Sequence, residues 1–118
     1  MQSTTKHRRS DVVLVSFVFS DETGVKLRPA VVVSSNDYNQ SRQEVVIAAI
    51  TSRTDRVLIG DHLIKEWKEA GLLVPSVATS ILRTIKQDMI VRKLGTMISA
   101  DMQAIDDKLR MILCLSNN

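Results

Sequence analysis

Residues 12–19 read Val-Val-Leu-Val-Ser-Phe-Val-Phe, a β-branched and aromatic run suited to an extended strand. The odd positions Val13, Val15, Phe17 and Phe19 are all apolar, and the even ones include Ser16. That alternation predicts one core face and one partly buried face. Residues 20–26 form a polar loop, with Gly24 suited to positive φ. Pro29 then opens a second strand over 30–34, because the first residue of a strand need not donate to the ladder. Residues 35–39 read as a turn or a single helical turn, and 44–50 as a third strand. Further along, 57–59 is a short strand, and 64–70 a short helix stopped by Gly71. Residues 76–85 and 88–94 are two more strands, with Gly95 closing the second. Ser99 is the expected N-cap of a C-terminal helix, with Asp101 in its first turn to complement the helix dipole. Met102, Ile105, Leu109, Ile112 and Leu113 would form its apolar stripe.

Short strands, tight turns and one terminal helix make the fold class mainly β (α+β), a small barrel or strongly curled sheet. Length adds that 118 residues suit one compact domain. Residues 1–10 lack apolar periodicity and read as a flexible basic arm, leaving 11–118 as the domain. The net charge of +3 comes entirely from Lys6, Arg8 and Arg9 in that arm. The body is neutral, so bulk charge does not announce a nucleic-acid binder. A single cysteine, Cys114, excludes an internal disulfide and a thiolate metal site. No apolar run approaches the about 20 residues of a membrane span. The N-terminus lacks the apolar stretch of a signal peptide, so the cytoplasm is the expected compartment.

Candidate chemistry is narrowed first by what is missing. No phosphate-binding glycine loop, nucleophile elbow or paired-histidine zinc motif occurs. Of the two histidines, His7 lies in the arm and His62 reads as a surface residue; no metal or other cofactor is expected. Arg28, Arg53, Arg56, Arg83 and Arg92 all fall at or near predicted strand ends, and the planar guanidinium suits phosphate oxygens. Aromatic residues make up only 3% of the chain, so base stacking is not the main binding mode. Trp67 is assigned to the core or a dimer interface. Met89, Met97, Met102 and Met111 are assigned to core filling. From these features alone, the chain is a small β-rich domain able to bind anions or nucleic acid.

The motifs go further. Residues 11–20, Asp-Val-Val-Leu-Val-Ser-Phe-Val-Phe-Ser, then Leu27-Arg-Pro-Ala-Val-Val-Val-Ser34 and Ala49-Ile-Thr-Ser52 resemble the MazF/PemK family of toxin–antitoxin endoribonucleases. The later blocks Ala70-Gly-Leu, Pro75-Ser-Val, Arg83-Thr-Ile-Lys86 and Arg92-Lys-Leu-Gly95 match one branch of it, in order and spacing. The resemblance implies an SH3-like barrel of about five to seven short strands with a C-terminal helix, usually as a homodimer. It implies metal-independent, sequence-specific cleavage of single-stranded RNA (mRNA). It also implies a cognate antitoxin that inhibits the toxin, with operator DNA bound only through their complex. Arg28 and Thr51 match the family's catalytic residues. Ser52, Arg53, Lys26, Glu22 and Arg83 are the expected RNA-binding positions.

Some positions depart from the pattern. Ser10 stands where the family commonly has Gly, Ser16 where it often has Asp, and Val18 where it has Pro. Ala78 and Ser80 occupy a stretch where some branches carry an arginine and an acidic residue, so those roles are not transferred. Two other functions share this frame: a gyrase-binding toxin of the same barrel fold, and a non-catalytic RNA-binding homologue.

Overall fold

The computed structural model describes residues 7–18 and 24–116. In chain order the elements are β1 (Asp11–Val18), β2 (Val25–Val32), α1 (Asn36–Ser41), β3 (Glu44–Thr51), β4 (His62–Leu63), β5 (Val77–Lys86), β6 (Ile90–Thr96) and α2 (Ser99–Leu113). A 3₁₀ turn, Gln87–Met89, joins β5 to β6. Among the described residues, six strands form one antiparallel sheet in the order β4-β5-β3-β2-β1-β6.

That order forces the sheet to roll up. β5 and β6 lie four strand positions apart, about 19 Å in a flat sheet. Yet the four-residue step from Lys86 to Ile90 spans at most about 14 Å. The two ends of the sheet must therefore approach each other, aided by register shifts in the β1–β6 and β3–β5 ladders. Rolling creates two cores. One gathers Val13, Val15, Phe17, Ala30, Val32, Val45, Ile47 and Ile85. The other gathers Val12, Val31, Val33, Ala48, Ile50 and Ala78 from the opposite face, and packs them under Met97, Met102 and Ile105. The mainly-β frame with a C-terminal helix is as expected, and so is a first strand with one core face (Val13, Val15, Phe17) and one partly buried face (Leu14, Ser16), except at its start. Val12 is as buried as Val13, because α2 and the 64–72 segment cover the second face.

Several predicted elements move for local reasons. β2 begins at Val25, so Pro29 lies inside it, opposite Leu14. Proline is tolerated there because the β2–β3 pairing covers only Ala30–Val32. Residues 57–59 form no strand. They enter a turn in which Leu58 N–H donates to Asp61 Oδ2 at 3.0 Å, and Gly60 closes it at φ 91°. Residues 64–70 form no helix. Ile64 N–H is held by Ser76 O at 3.0 Å, while the Lys65 and Glu66 N–H groups donate to the Asp101 carboxylate. One turn ending at Gly71 is all that remains. The N-cap of α2 is Ile98 rather than Ser99. Its stripe is buried only at Met102 and Ile105, with Ile112 and Leu113 exposed. Met111 is exposed as well, so it does not fill the core.

Residues 7–10 are anchored. The Arg9 guanidinium meets the Val33 carbonyl and Asp106, Ser10 N–H donates to Val32 O at 2.9 Å, and Met97 N–H donates to Ser10 O at 2.8 Å. Ser10 sits at φ 79°. His62 is no free surface residue either: its Nε2 lies 2.7 Å from Asp101 Oδ1. No helix among the described residues is long and apolar enough to cross a membrane.

Candidate active site

The site lies where the β2–β3 ladder ends. Ala30 pairs with Ala49, and the ladder stops there. The same register carried two residues further sets Arg28 opposite Thr51. Two-residue spacing keeps side chains on one face, so Arg28 continues the face of Ala30 and Val32, and Thr51 that of Ala49. Arg28 is thus mid-strand, not at a strand end, but it stands where the sheet has lost one neighbour. Arg83 likewise lies inside β5, paired with Ile47, and Arg92 inside β6, paired with Leu14.

A groove of about 940 Å³ opens at this point. Arg28, Thr51, Ser52, Arg53, Arg83 and Arg92 line it together with Phe17, the Gly71–Val74 segment and Ile81. No Asp or Glu is among its lining residues. The groove therefore concentrates positive charge on a molecule whose body is neutral. Among the described residues, no carboxylate pairs with Arg28, Arg83 or Arg92. The Arg83 guanidinium lies over the Phe17 ring, 4.8 Å from its centroid, which fixes the plane of the cation. Arg53 leans on Asp55, with Nη2 3.2 Å from Oδ2. That hydrogen bond holds the Asp55 carboxyl below its ordinary range. Thr51 Oγ1 accepts the Arg53 N–H at 3.2 Å, which leaves the hydroxyl proton available to a ligand.

Of the seven positions singled out in the sequence, five meet in this groove: Arg28, Thr51, Ser52, Arg53 and Arg83. Lys26 is exposed on β2 but is not part of its lining, and Glu22 lies outside the described residues. Arg56 is exposed in the loop after β3 and is not in the lining either. The apolar wall of Leu72, Leu73 and Val74 was not anticipated. Only the Leu-Leu-Val run next to Gly71 could have hinted at it.

The profile of PemK-like, MazF-like toxins of type II toxin–antitoxin systems matches residues 8–113. The chain belongs to that family. Solved members of the same fold include an endoribonuclease from Mycobacterial species, with a TM-score of 0.78 at 20% identity over 99% of this chain and 100% of that one. A MazE–MazF complex from Deinococcus radiodurans superposes with a TM-score of 0.73 at 17% identity, covering 96% and 100%. The Mycobacterium tuberculosis toxin MazF-mt6 gives 0.71 at 20% identity, covering 90% and 98%. At these identities the PemK/MazF fold is what is shared; the chemistry must be argued from this chain's own groove.

Proposed function

We propose that this toxin is an endoribonuclease that cuts single-stranded RNA in the groove between Arg28 and Thr51. One observation carries the reading: Arg28 and Thr51, just past the end of the β2–β3 ladder, line one groove with three further arginines and no acidic residue. In the reaction, the ribose 2′-hydroxyl gives its proton to solvent as its oxygen attacks the adjacent phosphorus, the P–O5′ bond breaks, and the departing 5′-oxygen takes up a proton from solvent. The products are a 2′,3′-cyclic phosphate and a free 5′-hydroxyl. Negative charge grows on the non-bridging oxygens, where the Arg28 guanidinium stabilises it. The Thr51 hydroxyl, already accepting from Arg53 N–H, donates its proton as a hydrogen bond to the same centre. Arg53, Arg83 and Arg92 hold the flanking phosphates, and Ser52 offers a polar contact to a base or ribose. Lys26, exposed on β2, would flank the strand.

Membership of a type II system supports a cognate antitoxin as the natural inhibitor, with operator DNA reached through that complex. The related endoribonuclease from Mycobacterial species is known in complex with its cognate antitoxin. A homodimer is supported by exposed apolar residues near one another: Leu58 and Ile59 precede Gly60, which lies against Ile112, and Leu113 and Leu115 follow Ile112 in the chain. The expected compartment is the cytoplasm.

The test is incubation of purified protein with a long single-stranded RNA. Discrete fragments ending in cyclic phosphate are expected. Arg28→Ala should lower kcat by about 10²–10³, the effect of removing one preorganised charge donor, without changing the fold. Intact RNA together with co-purifying gyrase would overturn the reading in favour of a gyrase-binding toxin. Tight binding without cleavage would favour a non-catalytic homologue.

A further inference from the structure

We propose that Leu73 and Val74, with Ile81 lining the same groove, form an apolar platform for one unstacked RNA base and set part of the sequence preference. This rests on the ribonuclease reading above. The groove's arginines account for phosphates, and phosphate contacts carry no sequence information. Single-stranded RNA is usually read by stacking bases on aromatic rings. That surface is missing among the described residues: Phe17 is covered by Arg83, Tyr38 lies on α1 under Arg42, and Trp67 packs on the core. The open surface that remains beside the cations is aliphatic.

A solitary exposed leucine would mean nothing. Here Leu73 is 92% exposed, with Val74 and Ile81 exposed beside it in the same groove. Their backbone is fixed at both ends. Gly71, at φ 87°, lies so close to β6 that a Cβ on it would meet the Leu94 carbonyl carbon at 2.6 Å. Leu72 is buried, and its N–H donates to Trp67 O at 3.0 Å. Ser76 is buried, and its hydroxyl donates to Val74 O at 2.9 Å. The fold thus holds two apolar side chains out into a cationic groove on an anchored segment, so ordering them on binding costs little. A base face is apolar and flat, its sugar-phosphate is anionic, and this combination matches the wall and the arginines together.

The experiment measures steady-state cleavage of a short RNA, and the cleavage-site profile on a long one, for wild type, Leu73→Ser and Leu73→Met. Leu73→Ser should raise KM about tenfold, the scale of one base contact, keep kcat within about twofold, and relax the profile at one nucleotide position. Leu73→Met should restore both. The side chain touches little of the protein, and an unchanged thermal unfolding curve confirms that folding is not the cause. If wild type cleaves while Leu73→Ser keeps its KM and its profile, the platform is refuted and the ribonuclease reading stands. If the substitution leaves RNA cleavage intact but weakens an acidic antitoxin peptide, the wall serves a protein and the proposal also fails. Wild type that neither binds nor cleaves RNA overturns both readings.

Discussion

Asp101 should be a principal polar anchor of the fold, and Asp101→Asn should expose its worth. The side chain is 2% exposed. Its Oδ1 receives His62 Nε2–H at 2.7 Å and Lys65 N–H at 3.0 Å, and its Oδ2 receives Glu66 N–H at 2.9 Å. Asparagine keeps the shape but replaces one acceptor with an NH₂ group. Whichever way the amide turns, the N–H of Lys65 or of Glu66 then faces a donor. A buried donor left unmatched costs about 1–3 kcal/mol, and the surviving bonds lose their charge assistance. The expected loss is about 2–3 kcal/mol, or roughly 10 °C in Tm for a domain of this size.

The pH dependence gives a second handle. Burial pushes the Asp101 carboxyl up, but the Lys65 N–H, His62 and the Glu66 N–H together outweigh it, so the group sits below its ordinary value. A carboxylate with a depressed folded-state pKa stabilises the fold fully above its unfolded pKa of about 4. It loses that contribution as pH falls through the folded value. The gap between wild type and Asp101→Asn should therefore be widest at pH 7 and shrink below about pH 4. Urea unfolding followed by the fluorescence of Trp67, the single tryptophan, reports on the segment the carboxylate holds. A gap below about 1 kcal/mol at pH 7, or one that does not narrow in acid, would refute the argument.

Two glycine-related predictions complement it. Gly71→Ala combines a left-handed φ of 87° with a Cβ pressed into the β6 backbone. It should cost about 3 kcal/mol or more in chemical denaturation and, by shifting the 72–74 wall, raise KM for RNA. A variant with unchanged stability would contradict the close packing. Ser10→Gly should act the other way. Ser10 holds φ 79°, a conformation that costs a residue with a Cβ about 1–2 kcal/mol, partly offset by glycine's greater freedom when unfolded. A net gain of about 0.5–1 kcal/mol in the urea midpoint is expected, and a loss would show that the Ser10 side chain has a role of its own.

Much of the frame could be read in the residues themselves, because it rests on local patterns. The β-branched runs gave β1, β3 and β5 to within a residue or two. Ser10 stands at positive φ, a conformation that suits glycine better than serine, which fits the expectation of glycine at that position. What could not be read were effects set by distant partners. Asp101 appears in sequence as a helix-dipole complement, yet it binds backbone N–H groups 35 and 36 positions away. The same contact kept residues 64–70 from completing a helix, despite their amphipathic pattern. Arg9 looked like part of a loose arm because Val33 and Asp106, which hold it, are far along the chain. Arg92 and the Leu73 wall enter the groove only because the sheet rolls up, and no local spacing encodes that.

Pro29 shows how the two levels join. In sequence it marks the start of a strand. In the structure β2 already runs from Val25, and what ends beside Pro29 is the ladder with β3. A residue that cannot donate a ladder hydrogen bond is best placed where a strand has lost a neighbour. That same loss uncovers the next residue on the inner face, Arg28, and its register partner Thr51. Had the β2–β3 ladder continued two residues further, the strands would be held about 5 Å apart there and the groove that opens between them would narrow. The groove is thus a consequence of where pairing stops. The pairing of Arg28 with proline matters because the proline helps set that limit.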